Sequence, residues 1–344
     1  MGSLKTLLAT VCMTALLGGA AHAELMRIGH DAPPEAKGNV THAYSAVLGA
    51  AVEAATNGDI DVEIYPNNQL GSSEERLQQV RAGIIQGTIA SLGSLTPVYP
   101  DLDILNLPFA FDNMASVYKV YEGEFGTKLA KAIEAKLSDV VVLGIADPGG
   151  FFALTNSKKP VKTLEDFKGL RIRTMTVPAH QRLIQALGAE AYPLAWSEVY
   201  TGLQTGVIDG QMNPVPTVYR TKLYEVQTAT SLIKHLYNPM FFLVNRQFFE
   251  GLSPEQQDIL RVSSMEAVVA TRGLGRISEA EDTIDLKEKM EVNTPSKDEL
   301  ARMREVAVRE MDKYFDETLT DSGKTLLTEF KSAINKANAS VYLK

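Results

Sequence analysis

The sequence predicts an α/β protein of two domains, and three observations carry that prediction. Strand-like and helix-like segments alternate over the first part of the chain. The alternation resumes after a Pro/Gly-rich break at Asp147-Pro148-Gly149-Gly150, and the last quarter turns into long, charged, amphipathic helices. A length of 344 residues adds a soft expectation of two domains.

Met26 to His30 reads as a short strand, and Ala43 to Thr56 carries apolar residues at helical spacing before the breaking pair Asn57-Gly58. Ile60 to Tyr65 alternates apolar and acidic residues like a strand with one wet face, and Pro66 stops it. Ser72 or Ser73 can cap a helix running to about Gly83, with Glu74 and Glu75 in the first turn, where the helix dipole favours them. Ile84 to Leu92 reads as a buried strand. This strand-helix-strand rhythm predicts a largely parallel sheet.

Past that region Val140 to Ile145 and Phe151 to Thr155 read as strands, separated by a break that is either a turn or a domain crossing. Leu164 to Phe167 fits a helical turn, Leu170 to Thr174 a strand, Ala179 to Leu187 a helix closed by Gly188, Ser197 to Thr205 a helix ended by Gly206, and Phe241 to Val244 a buried strand. From Ser263 to Met290 the only breakers are Gly273 and Gly275, so a helix longer than the usual 8 to 20 or so residues is expected, long enough to span two domains.

The first residues have a different character. Lys5 precedes an apolar run from Leu7 to Leu17, and the segment ends in Ala21-His22-Ala23, the pattern of a cleavable secretory signal over residues 1–23. The run is shorter than the roughly 20 apolar residues of a membrane span. Cys12 is the only cysteine and would leave with the signal, which excludes disulfides and thiolate chemistry from the secreted chain. A net charge of -8, spread along the chain, is no footprint for nucleic acid.

Catalytic patterns are missing from the sequence. His30, His42, His180 and His235 have no metal-ligand spacing, and there is no Gly-x-Ser-x-Gly elbow, P-loop or dinucleotide fingerprint. The acidic pairs Asp101/Asp103 and Glu74/Glu75 read as loop or helix-start charges. No enzyme activity, metal or cofactor is therefore expected.

The stretch from Lys168 to Pro214 is more specific: Lys168-Gly169-Leu170-Arg171-Ile172-Arg173, then Trp196-Ser197-Glu198-Val199-Tyr200, Leu203-Gln204-Thr205-Gly206 and Asp209-Gly210-Gln211-Met212-Asn213-Pro214. With Tyr65-Pro66-Asn67-Asn68-Gln69-Leu70-Gly71, Leu107-Pro108-Phe109 and Glu122-Gly123-Glu124-Phe125-Gly126, this ordered set resembles the DctP-type substrate-binding proteins of tripartite ATP-independent periplasmic (TRAP) transporters. The resemblance implies a two-domain clamp of twisted sheets flanked by helices, with a long helix spanning both domains. It places 24–149 and 237–278 in the first domain and 150–236 and 279–344 in the second. It further implies a monomeric periplasmic receptor that hands a small organic acid to the membrane subunits of a permease.

The resemblance also assigns the site. Arg173 matches a buried arginine that pairs with the ligand carboxylate, Asn213 the asparagine that orients the contact, and Trp196 an aromatic wall. Arg171 and Arg173 lie on one face of the same strand, so alternation does not choose between them; a guanidinium in either place offers two parallel donors that fit a carboxylate. Asp31 and Ser91 match cleft positions of the first domain, and Ser73 either meets the ligand or caps its helix. Where many relatives carry a second arginine ahead of a Thr-Asn-Ser run, this chain has Gly150-Phe151-Phe152-Ala153-Leu154 before Thr155-Asn156-Ser157. Phe152 in place of that cation implies a monocarboxylate with an apolar or aromatic part in preference to a dicarboxylate. Two rival readings of the same shape are a sensory module that reports its ligand to a membrane receptor and a secreted enzyme.

Overall fold

The computed structural model describes residues 23–341, so the expected signal segment lies outside the described residues but for its last position. The chain begins with β1 (Glu24–Gly29), α1 (Val40–Ala55), β2 (Ile60–Tyr65), α2 (Ser73–Arg81), β3 (Gly87–Ala90) and the single turn α3 (Leu92–Leu95). A 3-10 segment, Pro100–Asn106, leads to α4 (Met114–Tyr121), α5 (Glu124–Lys136) and β4 (Val140–Ala146). Next come β5 (Phe152–Asn156), β6 (Arg171–Thr174), α6 (Pro178–Ala186), β7 (Glu190–Pro193), α7 (Val199–Gln204), β8 (Gly210–Pro214), α8 (Val215–Arg220) and β9 (Ala229–Ser231). The chain ends with β10 (Met240–Asn245), α9 (Arg246–Gly251), α10 (Pro254–Lys287), β11 (Glu291–Asn293), α11 (Lys297–Thr318) and α12 (Asp321–Val341). Among the described residues no helix is long and apolar enough to cross a membrane.

Two sheets form, in the orders β2-β1-β3-β10-β4 and β11-β9-β5-β8-β6-β7. Both are mixed, where the sequence predicted a largely parallel sheet: β10 runs against β3 and β4, and β5 runs against β8 and β9. The reason is topological. β5 and β10 are the strands that arrive from the other sheet, and they enter at the edge where the parallel strands end, so they must run the opposite way. The strand expected at Ile84 to Leu92 is also shorter, because Gly83 turns in the left-handed region and leaves Ile84 58 % exposed ahead of β3.

Both crossings are pinned by hydrogen bonds. In the first, the buried Asp147 carboxylate accepts from the backbone N–H of Gly149 (2.9 Å) and Gly150 (2.8 Å), from the Tyr118 hydroxyl (2.8 Å) and from Arg276 of α10 (3.1 Å). Gly150 sits at φ 113°, and a Cβ there would meet the Arg276 guanidinium at 2.8 Å, so this position requires glycine on both counts. In the second, Asn238 donates to the Asn106 side chain (2.9 Å) and the Leu105 carbonyl (3.3 Å).

α10 is 34 residues long and starts earlier than expected, because Ser253 and Gln256 form a capping box around Pro254 at the first helical position. At about 1.5 Å per residue it extends about 51 Å, touching α1 and β4 on the first sheet's side and α8 and β11 on the second's. Gly275 is tolerated inside it because Val40 and Asp147 approach there. α11 lies against α6, whereas α12 returns to α4, α5 and the 3-10 segment of the first sheet's side. The sequence-based boundaries put all of 279–344 with the second sheet. The return of α12 depends on Asp101, whose carboxylate accepts from the backbone N–H of Thr320 (3.1 Å) at the start of that helix.

Candidate functional site

The parallel strands of both sheets end at one edge, which is where ligands of open α/β sheets bind. Asp31 follows β1, Ser91 follows β3, Met175 follows β6, Trp196 follows β7, and Asn213 closes β8 beside them. Between the two edges lies a cleft with about 1090 Å³ of empty space, its open mouth included. Asp31, Ser73, Ser91, Phe152, Arg173, Trp196 and Asn213 all line it.

Arg173 is 3 % exposed, and its Nε and Nη2 both donate to the Leu194 carbonyl oxygen, at 3.0 and 2.7 Å. That leaves the Nη1–Nη2 edge for another acceptor. Among the described residues no carboxylate stands within ion-pair distance of it. Burial pushes its pKa down to about 10, against the opposing fields of Glu74 and Glu198, so the group stays charged at neutral pH. A buried cation without a counter-ion is costly, and an incoming anion relieves the cost. Its guanidinium carbon lies 5.8 Å from the centre of the half-buried Trp196 ring.

Arg171, two residues earlier on the same strand, is occupied. It forms an ion pair with Asp209 at 2.7 Å, its Nε donates to the same carboxylate at 3.0 Å, and its Nη2 donates to the Gly206 carbonyl at 2.7 Å. These hydrogen bonds raise its pKa and lower that of Asp209. The pair locks the loop ahead of β8 to β6, while Gly210 lets β5 approach so closely that a Cβ would collide with the Thr155 carbonyl oxygen.

Asn213 stands on the β8 face shared with Gln211, which is paired in register with Arg173. Its Nδ2 donates to Gln211 Oε1 at 2.5 Å; Gln211 donates to Thr155 Oγ1 at 3.0 Å; and Thr155 donates to Gln227 at 2.9 Å. Gln211 is fully buried and fixes the Asn213 amide in orientation. It lies inside the quoted motif and two residues from Asn213, a period-2 signal that marks it as the residue holding Asn213.

Phe152, 5 % exposed, serves as floor and core at once: it lines the cleft and presents edges to His180 (6.3 Å between ring centres) and His235 (6.5 Å). His180 Nε2 donates to Asn238 Oδ1 at 2.8 Å, which ties α6 to the second crossing. Burial pushes His180 down to about 3 and His235 to about 4, so both are neutral. Among the described residues no group of three or more His, Cys, Asp or Glu could share a metal ion.

The first sheet's wall is built differently. Ser72, not Ser73, caps α2: its hydroxyl accepts from the Glu75 N–H at 3.2 Å in a capping box. That frees Ser73, whose Oγ is buried without a hydrogen-bond partner. Ser91 precedes α3 and makes no side-chain cap. Burial raises the pKa of the half-buried Asp31, with Arg76 opposing and Glu74 adding to the rise. Glu74, exposed and read from the sequence only as a helix-start charge, also lines the cleft, as do Met175, Met240 and Asn238.

This arrangement has close counterparts. The family model for bacterial extracellular solute-binding proteins, family 7, matches residues 30–318. The 2,3-diketo-L-gulonate-binding periplasmic protein of Escherichia coli is 32% identical over 71% of this chain and 73% of its own. The C4-dicarboxylate-binding periplasmic protein of Rhodobacter capsulatus is 33% identical over 65% of this chain and 66% of its own. The crystal structure of the sugar acid binding protein of Advenella mimigardefordensis with galactonate superposes with a TM-score of 0.85 at 27% identity, covering 92% of this chain and 99% of that one.

Proposed function

We propose a ligand class, and a way of holding it, for a chain that belongs to family 7 of the bacterial extracellular solute-binding proteins, the periplasmic receptors of TRAP transporters. Such a receptor captures a small organic acid and delivers it to the membrane subunits of its permease. The single observation that carries the reading here is Arg173: a buried guanidinium at the carboxyl edge of a sheet, with one edge satisfied by Leu194 and, among the described residues, no acid within ion-pair distance.

The ligand carboxylate lies against the Nη1–Nη2 edge of Arg173 with two parallel hydrogen bonds, and Asn213, held by Gln211, orients it. Trp196 covers the pair. Of the described residues lining the cleft, Arg173 is the only Lys or Arg, and Phe152 occupies the place where a second cation would stand. The cleft therefore takes a monocarboxylate, with an apolar stretch against Phe152, Met175 and Trp196. No lining residue supplies a nucleophile with an adjacent base, which supports capture without turnover. The two crossings and α10 serve as the hinge on which the walls close.

A thermal-shift screen against carboxylates and sulfonates tests the reading. A ligand at 100 times its dissociation constant adds about 2.7 kcal/mol of stability, and the acid should be recovered unchanged. A melting curve that no acid moves would refute it.

A further inference from the structure

We propose that the outer face of α10 is an interaction surface for a second copy of this chain, paired antiparallel about a two-fold axis at Gly273. The monomer that the resemblance implies would leave this face in water.

Five of the eight large apolar side chains exposed among the described residues lie on α10: Val262, Met265, Val269, Ile277 and Ile284, each more than half exposed. At about 100° per residue they fall within a sector of about 120°, and the buried Leu260, Ala267, Thr271 and Ser278 point the opposite way. Val262, Gly273 and Ile284 recur every eleven residues, a spacing that keeps the stripe nearly parallel to the helix axis. Single exposed apolar residues need no partner, but a continuous row of them marks an interface. Gly273 lies in the middle of the row. A Cβ added there would meet nothing within 4 Å, so the fold itself has no use for a glycine that weakens an exposed helix relative to alanine. A second backbone passing close to it does.

The spacing is self-complementary. Val269 and Ile277 stand four residues either side of Gly273, and Val262 and Ile284 eleven. An antiparallel copy therefore sets Val262 against Ile284 and Val269 against Ile277, twice each. Beyond the apolar row, Asp258 lies fifteen residues before Gly273 and Lys287 fourteen after it, both exposed and on the same flank of the stripe. Neither has an ion-pair partner among the described residues, and the antiparallel pair brings them level to about 1.5 Å at both ends. A parallel pair would set Asp258 against Asp258. Within the row, Glu266 falls opposite the small Ala280, and Arg276 is held inward by Asp147 (3.1 Å). The contact is isologous and closes on two copies. No residue of α10 lines the cleft, so the pairing leaves its mouth to the ligand.

Sedimentation equilibrium of the chain from Glu24 onward, at rising concentration, tests the proposal and should show a monomer-dimer equilibrium. Val269→Glu and Ile277→Glu should each weaken association at least tenfold, because the axis places every substitution in the contact twice. Val207→Glu, similarly exposed but off α10, should not. Asp258→Lys and Lys287→Asp should each weaken association, and the two together should restore it to within threefold of wild type. The melting profile of each variant and its acid affinity should stay as in wild type. A monomer up to about 1 mM, the edge of specific binding, would overturn the proposal, and lost uptake with Val269→Glu would then assign the face to the permease. Association that survives Val269→Glu and Ile277→Glu, or a charge reversal that fails to restore it, would overturn it as well.

Discussion

The two walls of the cleft are built on opposite plans. On the second sheet's wall the polar groups are buried and chained together: Arg173 to the Leu194 carbonyl, Asn213 through Gln211 and Thr155 to Gln227. On the first sheet's wall Asp31, Glu74, Ser73 and Ser91 are half-buried or exposed, and Ser73 Oγ has no partner. One wall therefore presents groups fixed before a ligand arrives, and the other presents groups still free to make new hydrogen bonds. The same contrast recurs within one strand: Arg171 is a structural cation paired with Asp209, and Arg173, two residues on, has no ion-pair partner among the described residues.

That contrast breaks first at Arg173. Arg173→Ala should lower acid affinity by two or more orders of magnitude with the fold intact, since removing one partner of a buried charge pair costs about 3 to 5 kcal/mol and each tenfold needs about 1.4. Titration of wild type and variant, with circular dichroism as the folding control, measures it. Comparable small losses from Arg173→Ala and Arg171→Ala would erase the distinction between the two arginines.

A smaller effect is expected at Phe152. Phe152→Arg installs a cation where the resemblance to the family implies a second arginine, and should improve succinate relative to butanoate by about tenfold, about 1.4 kcal/mol. An unchanged ratio in a variant that still folds would mean that Phe152 does not set the charge preference.

The histidines beneath that floor give a pH test. His180 has a folded pKa of about 3 and an unfolded one of about 6.5. Below pH 6.5 the unfolded chain takes up a proton that the folded chain refuses, so stability falls as pH drops. Between pH 6.5 and 5 wild type should lose about 1.6 kcal/mol more than His180→Gln. Chemical denaturation at the two pH values measures the difference, and parallel losses would show that His180 is not held neutral.

The smallest effect is expected at Arg171. Arg171→Ala should change acid affinity less than threefold while lowering the melting temperature, because it releases Asp209 and the loop before β8. A loss of affinity without a loss of stability would place Arg171 in the binding site.

Much of this was legible in the sequence, and the failures have local causes. Strand and helix positions follow from apolar periodicity, and all seven site positions carried over from the family pattern reach one cleft. Alternation left Arg171 and Arg173 equivalent because what separates them is Asp209, 38 residues away from Arg171. The choice between Ser72 and Ser73 needed the geometry of Glu75, which reaches back to the Ser72 N–H at 2.7 Å. The mixed sheets and the return of α12 escaped local reading because they are set by the two crossings and by Asp101, 219 residues from its partner Thr320. Glu74 keeps the helix-start role that its place in the first turn of α2 gives it, and nothing in its neighbours along the chain marks the side that faces the cleft.

The most direct test is a crystal structure with the acid that binds tightest in the titrations. The account expects its carboxylate within about 3 Å of the Nη1–Nη2 edge of Arg173, with the Asn213 amide beside it and Trp196 over the pair. A carboxylate bound to any other cation, with Arg173 left to Leu194 alone, would contradict it.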